Sequence, residues 1–178
     1  MIEKNKNTVK TMLKEGGKAS GAWCQAGNAI TAEILAEAGY DSVMVDLEHG
    51  PGDIMSTIAQ IQAMKGEPAV PFARAPWNDF VQIKRILDAG IYGLLVPYVN
   101  TKDEVLEAVK AVSYPTNGIR GVAGSPRAAH YGNGAMDYLK SANDEIYLMT
   151  AVETPEAVEN LDDILSVERL DGIFVGPM

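Results

Sequence analysis

The strongest constraint on the fold is a repeated alternation of two kinds of segment. Short apolar runs rich in β-branched residues are each followed by a stretch with apolar side chains at helical spacing. Six strand-type runs occur, at residues 20–25, 41–46, 69–74, 92–97, 145–153 and 171–176. Strands that alternate with helices predict a parallel sheet covered by helices, either doubly wound or closed into a barrel.

The number of strands relative to chain length favours an incomplete barrel. Eight βα units typically take about 250 residues, whereas this sequence has six strand-type runs in 178 residues. The last run is followed by Gly176, Pro177 and Met178, without a covering helix. We therefore expect one α/β domain over residues 1–178 that lacks about two units, with an N-terminal helix at 5–15.

The alternation is interrupted at residues 113–143. This segment includes the glycine-rich stretch GIRGVAGSPRAAHYGNG, and loops of such length are usually functional. We expect a long loop or an interaction arm that could reach a neighbouring subunit, and hence a homo-oligomer.

Composition excludes several classes of partner. The chain has 15 Lys and Arg against 24 Asp and Glu, a net charge of −9, which argues against nucleic-acid binding because such proteins carry a basic patch. No apolar run approaches the roughly 18 residues that a membrane-spanning helix needs. The polar N-terminal stretch at residues 1–17 lacks the apolar region of a signal peptide. These features predict a cytoplasmic protein with no membrane partner. The single Cys24 is interpreted as a small buried apolar residue.

Reactive side chains cluster at the predicted carboxyl ends of the strands, where parallel α/β folds place their sites. His49, with Asp46 nearby, is either a general base or a structural histidine. Arg74 offers a planar fork for a carboxylate or an enolate oxygen, unless it is a salt-bridged rim residue. Glu153 is either a ligand for a hard divalent cation or a salt-bridge partner of Arg74.

Several motifs together indicate a known family. They are VDLEHGP at 45–51, ARAPWNDFVQIKRILDAG at 73–90, GLLVPYV at 93–99, YPTNGIRGV at 114–122, AVET at 151–154 and DGIFVGP at 171–177. In this order the set resembles the HpcH/HpaI aldolases, which are metal-dependent class II pyruvate aldolases. The resemblance implies a TIM-type (β/α) barrel of the phosphoenolpyruvate/pyruvate superfamily, with about six of eight strands in this chain.

The resemblance also implies roles for individual residues. His49 would be the acid/base group, oriented by Asp46, and Arg74 would hold the 2-oxo group and stabilise the pyruvate enolate. Glu153 would be one ligand of a Mg2+ or Mn2+ ion.

The remaining pyruvate contacts implied by the resemblance lie at the end of the sequence. Backbone N–H groups near Gly176, Pro177 and Met178 would receive the pyruvate carboxylate. Two departures from the family pattern weaken the metal site: the aspartate expected shortly after the proline is not in this sequence, and Ala151 stands where the family usually has glutamine.

We therefore expect a lyase that reversibly cleaves a 4-hydroxy-2-oxo acid into pyruvate and an aldehyde, with a divalent metal. One alternative is a related C–C lyase or an oxaloacetate decarboxylase. The other is a non-catalytic barrel fragment that binds a 2-oxo acid.

Overall fold

The computed structural model describes residues 5–176, which form a parallel sheet with helices between its strands. In chain order the elements are α1 (Thr8–Lys14), β1 (Gly21–Cys24), α2 (Ala29–Glu37), β2 (Ser42–Asp46), α3 (Ile54–Ala63), β3 (Val70–Arg74), α4 (Phe80–Asp88), β4 (Gly93–Val96), α5 (Lys102–Val112), a 3-10 helix (Arg127–Gly132), α6 (Ala135–Glu145), β5 (Tyr147–Val152), α7 (Pro155–Glu159), α8 (Leu161–Leu165) and β6 (Gly172–Val175). No helix in this range is long and apolar enough to cross a membrane.

The sheet is curved into part of a barrel. Its six strands are ordered β1 to β6, and every neighbouring pair is parallel. The rings of Trp23 on β1 and Phe174 on β6 meet edge to face at 5.6 Å, although four strands separate them in the sheet. Side chains from the two outer strands therefore meet across the concave face.

The concave face holds its own apolar cluster. Phe72 and Tyr147 stack there at 6.0 Å between ring centroids. The glycine at position 93 is required by this packing, because a Cβ atom there would lie 2.4 Å from the Phe72 ring. A larger cluster fills the space between the sheet and the helices.

Helix α1 packs on the concave cluster through Val9 and Leu13. It is also tied to the sheet by Lys10, which donates to the carbonyl oxygen of Ile146 at 2.6 Å and to Asp171 at 2.9 Å. Burial lowers the pKa of Lys10, and the Asp171 carboxylate partly opposes this. Helix α1, at Thr8–Lys14, lies within the predicted range 5–15 and is shorter than that range.

Side-chain caps mark the starts of α3 and α4. Asp53 caps α3 by accepting from the backbone N–H of Ser56. The cap of α4 is Asp79, which accepts from the backbone N–H of Gln82. Asn78 donates to the carbonyl oxygen of Glu104.

The segment at 113–143 is not a continuous loop. Its second half contains the 3-10 helix and most of α6, and it packs on its own chain through Tyr114 and Tyr138. Between them lies Arg120, which is fully buried. Its Nη2 donates to Asp88 at 2.8 Å and to the Tyr138 hydroxyl at 3.1 Å, and its guanidinium stacks 4.4 Å from the Tyr114 ring. The segment at 113–143 therefore does not project as an arm, because the buried Arg120 holds it against the rest of the domain.

Replacing that arginine tests how firmly the segment is held. Arg120→Met should lower the free energy of unfolding by about 3 kcal/mol, because Asp88 and Tyr138 lose their donor inside the protein. Urea unfolding monitored by circular dichroism measures the change. Arg85→Met removes an exposed arginine of α4 and should cost no more than about 0.5 kcal/mol. Equal losses in both variants would contradict this account.

Candidate active site

The centre of the site is an ion pair between two neighbouring strands. Asp46 ends β2 and Arg74 ends β3, and the two residues are register partners in the parallel sheet. Arg74 Nε donates to Asp46 Oδ1 at 3.0 Å and Nη2 donates to Oδ2 at 2.6 Å. This two-point contact fixes the plane of the guanidinium.

The surroundings favour the charged form of both partners. Burial disfavours ionisation of Asp46, but the bonds from Arg74 and from the amides of Glu48 and His49 outweigh it and lower the pKa of this carboxyl group. Burial also acts against the charge of Arg74, yet Asp46 and the nearby charges of Glu48 and Glu153 raise the pKa of the guanidinium. Arg74 is therefore a permanent cation at the carboxyl edge of the sheet.

Asp46 also shapes the turn that follows β2. Its Oδ1 accepts from the backbone N–H groups of Glu48 at 3.1 Å and His49 at 3.2 Å. The chain turns so tightly that a Cβ at Gly50 would lie 2.4 Å from the carbonyl oxygen of Asp46, which only glycine tolerates. Gln25 contributes a further donor to Asp46 Oδ2 at 3.2 Å.

The expectation that Asp46 orients the His49 ring is corrected by these contacts. Both Asp46 oxygens are occupied by Arg74, Gln25 and backbone amides, and the bond to His49 goes to its main chain. The His49 side chain is 64% exposed, and its Nε2 lies 3.8 Å from Glu48 Oε2. Asp46 therefore positions the loop, while a different carboxylate faces the imidazole.

Glu48 was not assigned a role from the sequence. Its Oε2 lies 2.9 Å from Arg74 Nη1 as well as close to His49. On the other side, the Arg74 guanidinium lies 4.6 Å from the centre of the Trp23 ring. The position of Glu48 between two predicted site residues in the motif DLEH was the only sequence signal that could have indicated it.

Glu153 directly follows β5 and lies on the same edge. Its Oε2 accepts from the backbone N–H of Tyr98 at 3.2 Å, and Tyr98 itself adopts a left-handed backbone conformation. Within residues 5–176 no ion pair joins Arg74 to Glu153. The salt-bridge alternative for Glu153 is therefore not realised, although its charge acts on Arg74.

The chemistry of Glu153 suits a hard divalent cation. Its Oε1 approaches Gly176, where a Cβ would stand 3.2 Å away, so this oxygen faces the end of the next strand. The described residues contain no group of three His, Cys, Asp or Glu side chains able to hold a metal. Mg2+ usually binds through one or two carboxylates and completes its shell with water and substrate oxygens. Glu153 fits the role of one such carboxylate.

The sequence predicts that backbone N–H groups near Gly176 bind the pyruvate carboxylate. The N–H of Gly176 donates to the carbonyl oxygen of Val152 at 3.3 Å, so it is engaged in the sheet. Pro177 and Met178 lie outside the described residues, and a proline has no N–H to offer. The expected role of Gly176 as a donor to pyruvate is therefore not supported by its geometry.

The Asp46 pair should be visible in the pH dependence of stability. A carboxyl group whose pKa is lowered by folding stabilises the protein above its unfolded value, about 3.9, and loses that contribution as the pH falls through the folded value. Asp46→Asn should therefore cost about 3 kcal/mol at pH 7, and the difference from wild type should shrink below about pH 4.

Urea unfolding at several pH values measures this difference. Asp137→Asn, which alters an exposed carboxylate on α6, should change stability at neutral pH by less than about 0.5 kcal/mol. A gap between wild type and Asp46→Asn that stays constant down to acid pH would contradict the role given to the pair.

Comparison with known proteins shows to which family the chain is similar. The sequence model of the family described as HpcH/HpaI aldolase/citrate lyase matches residues 19–178. The chain is 44% identical over 171 residues to a 4-hydroxy-2-oxo-heptane-1,7-dioate aldolase of Escherichia coli, covering 96% of this chain and 65% of that protein. It is 45% identical over 172 residues to a hydroxypyruvate/pyruvate aldolase of Sagittula stellata, covering 97% and 68%.

The fold comparison leads to the same family. A crystal structure of an HpcH/HpaI aldolase/citrate lyase family protein from Burkholderia cenocepacia superposes with a TM-score of 0.91 at 34% identity, over 96% of this chain and 68% of that one. The curved sheet is thus part of a TIM-type barrel, as predicted. The chain spans 65% of the length of the E. coli relative. The protein belongs to the HpcH/HpaI aldolase/citrate lyase family.

Proposed function

We propose that this protein is a divalent-metal-dependent aldolase that reversibly cleaves a 4-hydroxy-2-oxo acid into pyruvate and an aldehyde. The observation that carries the proposal is the fixed, permanently charged guanidinium of Arg74 at the carboxyl edge. His49 and Glu153 lie on the same edge. A cation held in this way suits a reaction in which negative charge develops on a 2-oxo oxygen.

The proposed reaction assigns a separate step to each of these side chains. In cleavage, a base removes the proton of the 4-hydroxyl group, the C3–C4 bond breaks, and its electron pair moves toward the C2 oxygen to form the enolate of pyruvate. His49 is exposed and can reach a bound substrate as the acid/base group. Arg74 stabilises the enolate oxygen, and protonation at C3 then completes pyruvate.

A Mg2+ or Mn2+ ion is part of the proposal. Glu153 would be one of its protein ligands, and the ion would add Lewis-acid polarisation of the 2-oxo group. Ala151 is fully buried on β5 and offers no polar atom where the family usually has glutamine. A weaker hold on the shell of metal-bound water is the expected consequence.

Exchange of the pyruvate methyl protons tests the proposal without the need to know the aldehyde. In D2O with Mg2+, the methyl signal of pyruvate should decay in proton NMR spectra, and His49→Ala should slow the decay by at least about 100-fold. The matched control is His130→Ala, because it removes the only other histidine. It should leave the rate unchanged.

Other results of the exchange experiment would argue against the proposal. Exchange that survives in His49→Ala, or that proceeds equally well after metal removal by EDTA, would contradict the assigned chemistry. Pyruvate that binds without any exchange would support the non-catalytic binding alternative.

A homo-oligomer is proposed on a surface observation. The segment at 113–143 turns four apolar side chains outward: Ile119, Val122, Tyr131 and Met136, each more than half exposed. Large exposed apolar patches mark protein interfaces; we propose that these side chains contribute to such a patch, with a second copy of the chain as the partner. A cytoplasmic location stays a prediction from the sequence.

Sedimentation velocity tests the assembly. The wild-type protein should sediment as a species larger than a monomer, and Val122→Asp combined with Met136→Asp should shift it toward the monomer because charge is costly in an apolar interface. Met55→Asp alters an equally exposed apolar residue on α3 and should leave the assembly intact. A wild-type protein that is only monomeric would overturn the proposal.

A further inference from the structure

We infer that Glu48 is the positioning residue for His49: its Oε2 accepts the Nε2–H of the imidazole and so leaves Nδ1 as the basic nitrogen. The inference rests on the proposed function for its catalytic meaning. Its geometry is independent of that function, since it concerns two side chains of the same turn.

The first observation is an oxygen without a hydrogen bond. Glu48 Oε2 is buried, and it accepts no hydrogen bond from residues 5–176. Its 2.9 Å contact with Arg74 Nη1 is an ion pair whose direction does not satisfy a hydrogen bond. A buried carboxylate oxygen in this condition is costly, and a hydrogen-bond donor would lower that cost.

The second observation is that the His49 imidazole lies close enough to Glu48 Oε2 to supply a donor. His49 Nε2 lies 3.8 Å from Glu48 Oε2, so a movement of about 1 Å brings the two atoms within hydrogen-bond distance. The ring is mostly exposed and free to make this movement. Arg74 cannot turn toward Oε2 as readily, because Asp46 holds its Nε and Nη2.

The other two carboxylates of the site have partners of their own. Asp46 is occupied by Arg74, Gln25 and backbone amides. Glu153 accepts from Tyr98. Glu48 is therefore the carboxylate that faces both the base and the cation of the site.

This arrangement has a chemical consequence. A carboxylate that accepts from one ring nitrogen selects the neutral tautomer protonated there, and it stabilises the imidazolium that forms when the other nitrogen takes a proton. Glu48 would thus act through His49, without contact to the substrate. Its ion pair with Arg74 would keep the two reactive groups at a constant separation.

A spectroscopic measurement tests the inference without reference to activity. In 15N-labelled protein at low temperature, wild type should show a ring N–H proton of His49 on Nε2, protected from exchange with water by its hydrogen bond. Glu48→Met should lose this signal, whereas Glu48→Gln, which keeps a carbonyl acceptor, should retain it in weaker form. Because the chain has only two histidines, His130→Gln assigns the signals.

A kinetic measurement separates positioning of His49 from support of Arg74. Glu48→Gln should lower kcat for methyl exchange about tenfold with little change in KM for pyruvate. Asp46→Asn should instead raise KM, because it releases Arg74. A rise in KM alone in Glu48→Gln would overturn the inference, since it would place the role of Glu48 at Arg74.

The NMR and the kinetic measurements distinguish failure of the inference about Glu48 from failure of the proposed function. Absence of a protected Nε2 proton in wild type, or its full persistence in Glu48→Met, overturns the inference even if the enzyme is active. Absence of methyl exchange in wild type overturns the proposed function, while the NMR signal still decides whether Glu48 holds the ring.

Discussion

The bidentate contact between Asp46 and Arg74 is the interaction on which the site depends. It joins the ends of β2 and β3, and it compensates the cost of holding two charges in a largely buried place. The same carboxylate accepts from the turn that carries Glu48 and His49. One buried side chain therefore sets the plane of the cation and the path of the loop that bears the base.

The site combines a rigid part with a more open part. Arg74 is confined by Asp46, by the Trp23 ring and by Glu48, whereas the imidazole of His49 is largely exposed. A fixed cation favours charge that develops at one place, and an exposed base can approach a substrate and withdraw. Glu48 lies between Arg74 and His49, and its carboxylate interacts with both.

Segments outside the repeating βα pattern complete the domain. Helix α1 packs its apolar side on the concave cluster and pairs Lys10 with Asp171. Arg120 holds the segment at 113–143 against α4, because its charge meets Asp88 on that helix, and its planar face meets Tyr114 within the segment. In both places a long, buried cationic side chain meets a carboxylate, so the attachment is specific as well as apolar.

Local patterns in the sequence determined the six parallel strands, the helices between them and the cap at Asp53, because periodicity and capping act within a few residues. They also brought Asp46, Arg74 and Glu153 to one edge, since strand ends of a parallel sheet share an edge. The contacts themselves were decided by the tertiary structure. Asp46 bonds to a residue 28 positions away, and the engagement of its oxygens leaves Glu48 as the carboxylate that faces His49. Which side chains form these contacts depends on distances and directions in the folded chain. A local sequence pattern does not contain this information.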